Sequence, residues 1–155
     1  MLAIPFLQAA YSCGQSSSDY LSLTVSTSPN FTLNTAALFE SAQVISSVFK
    51  ISVLTSSSDC TVYASIPSGI TTSSVTPMAA SNISLQYNNT DCPPGHINYS
   101  TTSALAMASS NTKLFAIKKW SKVSNWYYDI DIPALGYAYN PGTYSYTIQF
   151  TMTQP

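Results

Sequence analysis

Hydrophobic and polar residues alternate with a period of two along most of the chain. The longest run lies near the end, where the apolar positions are Tyr144, Tyr146, Ile148, Phe150 and Met152. Because successive side chains of a strand point to opposite faces of a sheet, this run predicts one unbroken strand of roughly ten residues. The Asn-Pro-Gly sequence at residues 140–142 is a turn signal directly before it.

Shorter runs with the same alternation predict the rest of the fold. They begin at Leu21, Phe49, Val62, Ile83 and Trp126, with loops rich in Ser, Thr, Pro and Asn between them. The segment 102–109 is the one candidate for a helical turn. This spacing predicts an all-β chain with a single immunoglobulin-like β-sandwich of roughly seven to nine strands. Residues 19–155 form the sandwich domain in this interpretation, and residues 1–18 form an N-terminal extension.

The low charge content and the short apolar stretches of the chain bear on which partners it can have. Charged residues make up 7% of the chain, compared with about a quarter in an average soluble domain. Arginine is absent and the net charge is −1, so the chain lacks the positive field that a phosphate backbone requires. We therefore expect no nucleic-acid partner. The apolar stretch at the N-terminus is too short to cross a bilayer, so we expect no membrane span.

The residues needed for catalysis are sparse. His96 is the sole histidine and follows a Pro-Pro-Gly loop, where a surface role is the usual one. Asp129 and Asp131 share a strand face about 6–7 Å apart, close to the carboxylate spacing of glycosidases. Side by side on a solvent-exposed strand face, both carboxyl groups would ionise. A glycosidase needs one of its two acids to be protonated. We expect no enzyme activity, no metal site and no cofactor.

Two cysteines are candidates for a disulfide. Cys60 and Cys92 each follow an aspartate beside a polar loop, and a bond between them would close a loop of roughly 30 residues. The sequence favours this disulfide, and two buried free thiols are the alternative. Cys13 stays undecided among a free thiol, a lipid anchor and a bond between subunits.

Four Asn-x-Ser/Thr sequons are glycosylation candidates, at Asn30, Asn82, Asn88 and Asn98. Sequons of this kind agree with an extracellular or cell-surface location, although a chain so rich in Ser and Thr contains some by chance. The expected localisation is therefore extracellular.

An aromatic cluster between residues 120 and 139 offers a second kind of surface. Trp120, Trp126 and Tyr127 are candidate glycan contacts, because exposed aromatic rings on a sandwich stack on sugar rings. The alternative is that half of the cluster lies in the core and the rest supports a subunit interface.

Two parts of the chain resemble a known family. The first part reads Leu-Ser-Leu-Thr-Val-Ser at residues 21–26, Asn-Phe-Thr-Leu-Asn-Thr at 30–35, Val-Phe-Lys-Ile-Ser-Val-Leu at 48–54 and Cys-Thr-Val-Tyr-Ala-Ser-Ile at 60–66. The second reads Pro-Gly-Thr-Tyr-Ser-Tyr-Thr-Ile-Gln-Phe-Thr-Met-Thr-Gln-Pro at residues 141–155. This order resembles secreted Bacteroidota β-sandwich proteins and, more distantly, fimbrial (pilin) subunits assembled by donor-strand exchange. The resemblance implies a structural subunit of an extracellular filament.

The N-terminal extension has the pattern that such an assembly needs. Its apolar residues Leu2, Ile4 and Phe6 alternate and are followed by Leu7, so they would fill a groove in a neighbouring copy. Residues 13–18 would act as the hinge. The partner is then another copy of the same chain. One alternative is that residues 1–12 fold back onto their own sandwich. Another is a monomeric cell-surface adhesin that binds host or environmental glycans.

Overall fold

The chain is all-β. A computed structural model describes residues 8–11, 19–26, 31–72 and 78–155, with residues 8–11 and 71–72 described by their backbone. The strands are β1 (Gln8–Tyr11), β2 (Tyr20–Val25), β3 (Phe31–Leu33), β4 (Gln43–Thr55), β5 (Cys60–Ser65), β6 (Ile70–Thr72), β7 (Ser84–Thr90), β8 (Ile97–Tyr99), β9 (Leu105–Ala106), β10 (Thr112–Ile117), β11 (Trp120–Ile132), β12 (Gly142–Tyr146) and β13 (Gln149–Thr153). One α-helix, α1 (Ala36–Glu40), and three short 3₁₀ turns (Ala80–Asn82, Pro94–His96 and Gly136–Ala138) complete the described part.

The described strands form three sheets. The first sheet has the order β1-β13-β5-β10-β8, and the second has the order β2-β4-β11-β7-β9. A third sheet, β3-β12-β6, has three strands. The described pairs are antiparallel, except that β1 runs parallel to β13.

The apolar faces of the two larger sheets pack against each other. Phe115 on β10 stacks on Trp126 on β11, with ring centroids 4.0 Å apart. Phe49 on β4 meets Phe150 on β13 edge to face at 5.5 Å. All four side chains are fully buried. The predicted alternation is confirmed over residues 49–53 of β4 and 126–132 of β11, where the apolar positions are buried and the intervening ones are partly exposed.

The final strand is split, where the sequence predicts one unbroken strand. Its first half, β12, pairs in the third sheet with β3 and β6, and its second half, β13, pairs in the first sheet with β5. The buried positions still alternate across the break, so Ile148 between the two strands lies in the core. A strand that changes sheets in this way forms a corner, and side-chain periodicity does not record it.

Three features of the structure differ from the sequence-based expectations. Segment 102–109 contains the short strand β9 instead of a helical turn, because the Met107 N–H donates to the Ile83 carbonyl and the Ile66 N–H donates to the Ala108 carbonyl. The helix α1 was not predicted. The described part contains thirteen strands, against the seven to nine expected, since several are only two or three residues long.

Candidate functional site

The extension and the last strand meet at one edge of the first sheet. β1 pairs in parallel with β13, with Gln8 opposite Gln149 and Tyr11 opposite Met152. We call the side of β13 that pairs with β1 the acceptor edge. The opposite side of β13 pairs antiparallel with β5 over five residues. Parallel pairing is slightly less stable per residue than antiparallel pairing, so β1 is held less firmly than β5.

The acceptor edge is built on the core. Phe150 and Met152 point inward and are fully buried, whereas Gln149, Thr151 and Thr153 point outward and are partly exposed. The inward residues hold β13 in place through burial, which stabilises by about 1.5–3 kcal/mol for each large apolar side chain. The main chain of β13 is therefore anchored to the core at the edge where β1 pairs.

The predicted donor residues lie outside the described part of the chain. Leu2, Ile4, Phe6 and Leu7 belong to residues 1–7, and Cys13 and the proposed hinge belong to residues 12–18. The described segment of the extension, Gln8–Tyr11, lies on β13 of its own chain. This segment thus has the position that the fold-back alternative gives it.

A buried carboxylate lies where the extension joins the body. Asp19 directly precedes β2 and is 6% exposed. Its Oδ1 accepts hydrogen bonds from the Ser56 amide and hydroxyl, each at 2.7 Å. The Ser57 hydroxyl and the Gln154 side-chain amide, at 2.6 Å, donate to Oδ2. We call Asp19, Ser56, Ser57 and Gln154 the Asp19 cluster.

The electrostatics of this cluster favour the ionised carboxylate. Burial alone would raise the pKa of Asp19, but the hydrogen bonds from Ser57, Ser56 and Gln154 outweigh it and hold the pKa well below its usual range. Asp19 belongs to none of the motifs that the sequence presents. The available signal was a lone acid between a serine run and an apolar strand.

The predicted disulfide is absent. Cys60 and Cys92 are free thiols, and both are buried. Cys60 begins β5 of the first sheet, whereas Cys92 follows β7 of the second, and each side chain joins the common apolar core. Burial raises the pKa of Cys60 to about 12 and that of Cys92 to about 11. Packing as small apolar side chains is therefore their role in this structure.

The sequons differ in accessibility. Asn88 and Asn98 are exposed, and their side-chain amides donate to Asp129 and Asp59, respectively. Asn82 is half-buried, and its amide donates to the Tyr139 hydroxyl at 2.8 Å. Asn30 lies outside the described residues.

The three aromatic residues proposed for glycan contact do not share a surface. Trp126 is fully buried between the sheets. Trp120 is half-buried and stacks on the His96 ring with centroids 5.2 Å apart. Tyr127 is half-buried on the opposite face of β11 from Trp126, as its burial pattern shows. One of the three is thus a core residue, in line with the alternative interpretation of this cluster.

The candidate acids and the histidine have separate surroundings. Asp129 Oδ1 accepts a hydrogen bond from the Ser47 N–H at 2.6 Å. The Asn88 side-chain amide lies 3.2 Å from each of the two Asp129 carboxylate oxygens and donates to them. Asp131 lines a shallow cavity of about 290 Å³ with Ser84. The His96 Nδ1 atom is buried without a hydrogen-bond partner among the described residues. Across that part of the chain, no three His, Cys, Asp or Glu side chains converge as metal ligands would.

Within the described ranges, no helix combines the length and the apolar character needed to cross a membrane. Comparison with family models, curated proteins and solved structures finds no match for this chain.

Proposed function

We propose that the chain is a structural subunit of an extracellular filament, in which each copy donates its N-terminal strand to the acceptor edge of the next. The pairing of β1 with β13 is the observation that carries the proposal. The same hydrogen bonds form whether β1 comes from its own chain or from another copy, so the exchange conserves main-chain pairing. The two larger sheets then form the sandwich that receives the strand.

The position of β1 suits it to exchange. Among the described strands it pairs with β13 alone, and its ladder is four residues long. Displacing it leaves every other described strand pair intact. The loss of one short parallel ladder is a small part of the stability of a domain of this size.

The connection to the body is long enough for transfer between copies. Seven residues, 12–18, separate β1 from Asp19, and an extended chain of that length spans about 23–25 Å. Six of them are Ser, Gly or Gln. Residues of these types offer little apolar surface for burial.

A strand donated by another copy would also cover the unpaired main-chain groups at the edge of the first sheet. If β1 were absent, the acceptor edge would expose a row of main-chain donors and acceptors beside the apolar core. Such an edge pairs readily with any extended chain, and natural proteins cover it. Donation in one direction, copy to copy, covers every edge except one at the end of the filament.

The proposal is tested by comparing particle size with and without a competent β1. The full chain should form filaments in negative-stain images, and a chain lacking residues 1–11 should be monomeric by sedimentation. Because a deletion can also prevent folding, the double variant Ala9→Pro/Ala10→Pro provides a milder change that removes two main-chain donors from β1. Monomers should result there as well.

A matched control is Ala106→Pro in β9, another short edge strand, at the far side of the second sheet. This variant should still polymerise. Filaments that persist in the β1 proline variant, or a full chain that is monomeric at high concentration, would contradict the proposed function.

A further inference from the structure

The Asp19 cluster joins three separate parts of the chain at one end of β13. Asp19 precedes β2, Ser56 and Ser57 lie in the loop between β4 and β5, and Gln154 directly follows β13. Tyr11, the last residue of β1, is opposite Met152, two residues before Gln154. The cluster therefore lies at the end of β13 toward which β1 runs.

Hydrogen bonds to the ionised Asp19 carboxylate hold the cluster together. The carboxylate is almost fully removed from water, and its described donors are two serines and a glutamine, all uncharged. Hydrogen bonds to an ionised group are roughly twice as strong as those between neutral groups. A buried anion also imposes strict geometry, because every donor that it loses leaves charge without solvation.

We propose that Asp19 is the positioning residue of the exchange junction. It fixes the point at which the exchangeable N-terminal segment joins the body, and it keeps the end of β13 docked against β5 when β1 leaves. The chain before residue 19 can then move to a neighbour, while the acceptor edge keeps the shape that the incoming strand requires. This inference rests on the proposed strand exchange.

The geometry of β13 explains why such a residue is needed. Thr153 pairs with Thr61 at the end of the ladder, and without β1 that end is supported from one side only. Strand ends fray unless they are tied down. The Gln154 amide donating to Asp19 Oδ2 at 2.6 Å ties this end to the start of β2.

The test compares Asp19→Asn with Asp91→Asn. Asp91 is a matched control, because its two oxygens accept the Asn125 N–H at 2.7 Å and the Asn125 side-chain amide at 2.6 Å in an exposed loop beside the second sheet. The first readout is amide hydrogen exchange of residues 149–153 in the assembled protein. The second is the disulfide yield of the register pair Ala10→Cys and Thr151→Cys in a Cys13→Ser background.

We expect Asp19→Asn to speed amide hydrogen exchange at residues 149–153 at least tenfold. The rate of amide hydrogen exchange at residues 126–130 of β11 should change less than twofold. The cross-link yield should fall at least threefold. Asp91→Asn should change neither readout more than twofold. Gln154→Ala removes one donor and keeps the carboxylate, so it should give the same local effect if Asp19→Asn does not fold.

Unchanged exchange at residues 149–153, or an equal loss of protection in all strands, would overturn the positioning role. The test separates this role from the proposed function. If every cross-link proves to lie within one chain, the filament proposal fails. The amide hydrogen exchange of residues 149–153 still reports on the role of Asp19 in that case.

Discussion

The Asp19 carboxylate contributes to the stability of the region where the N-terminal extension joins the body. A carboxylate is normally expelled from a protein interior, and this one is retained because several donors converge on it. Replacing it by asparagine places an amide against hydroxyl and amide donors, and leaves some of them without an acceptor. We expect Asp19→Asn to lower the free energy of unfolding by about 2–3 kcal/mol at pH 7.

The same residue predicts a pH dependence. The pKa of Asp19 is lowered in the folded state, whereas in the unfolded chain it is about 3.9. Its stabilising contribution is therefore complete above that value and is lost as the pH falls toward the folded pKa. Urea unfolding between pH 7 and pH 3 should show a constant gap between wild type and Asp19→Asn above about pH 5, and a narrower gap below about pH 4. Equal gaps throughout would contradict this account.

The two buried thiols predict low reactivity. With pKa values of about 12 and about 11 for Cys60 and Cys92, about one thiol in a thousand or fewer is ionised at pH 8. In a Cys13→Ser chain, a thiol reagent such as DTNB should label both cysteines only at the rate of unfolding, and rapidly in denaturant. Stoichiometric labelling of the native protein within minutes would show that at least one thiol is accessible.

Ser47 is a point of backbone strain. Its φ is 52°, in the left-handed region that favours glycine, and its N–H donates to Asp129 from the irregular part of β4. Ser47→Gly should therefore stabilise the protein by up to about 1 kcal/mol. The neighbouring Ser46→Gly is the control, since it adds unfolded-state freedom without relieving strain and should destabilise by about 0.5–1 kcal/mol. Thermal unfolding in which both variants lose stability equally would contradict the assignment.

At the scale of elements, periodicity identified the strands that have one buried face. The alternation in β11 gives its inward residues correctly, including Trp126. Period-two patterns cannot show where a strand leaves one sheet for another, so the break between β12 and β13 was missed. The five-residue α1 was missed for a different reason, because tertiary contacts such as burial of Phe39 stabilise a helix too short to do so alone.

The two tryptophans of β11 should respond differently to substitution. Trp126→Ala removes a fully buried ring stacked on Phe115 and should lower the free energy of unfolding by about 3–5 kcal/mol. Trp120→Ala removes a half-buried ring stacked on His96 and should cost about 1–2 kcal/mol. Guanidinium unfolding of both variants checks the order, and a larger loss for Trp120→Ala would contradict the observed packing.

At the scale of the whole molecule, the sequence predicts an N-terminal extension and a final alternating strand. It did not indicate that β1 and β13 would be partners, because pairing between distant segments leaves no mark in local periodicity. The Asp19 cluster was equally hidden, since its members come from residues 19, 56, 57 and 154, and each is an ordinary polar residue in its local sequence.

The account depends on whether β1 of one copy can occupy the acceptor edge of another. Two single-cysteine chains, Ala10→Cys and Thr151→Cys, are made in a Cys13→Ser background, with tags of different size, and are mixed during refolding. Adjacent strands lie about 4.8 Å apart, within the separation that a disulfide bridges, so oxidation reports the partner of β1 directly. The double variant, with both cysteines in one chain, shows that the pair can react.

The account predicts a disulfide-linked product that contains one chain of each size, in high yield, on a non-reducing gel. If the double variant closes its disulfide within a single chain, and the mixture yields no linked product, then β1 stays on its own body and the filament account is contradicted.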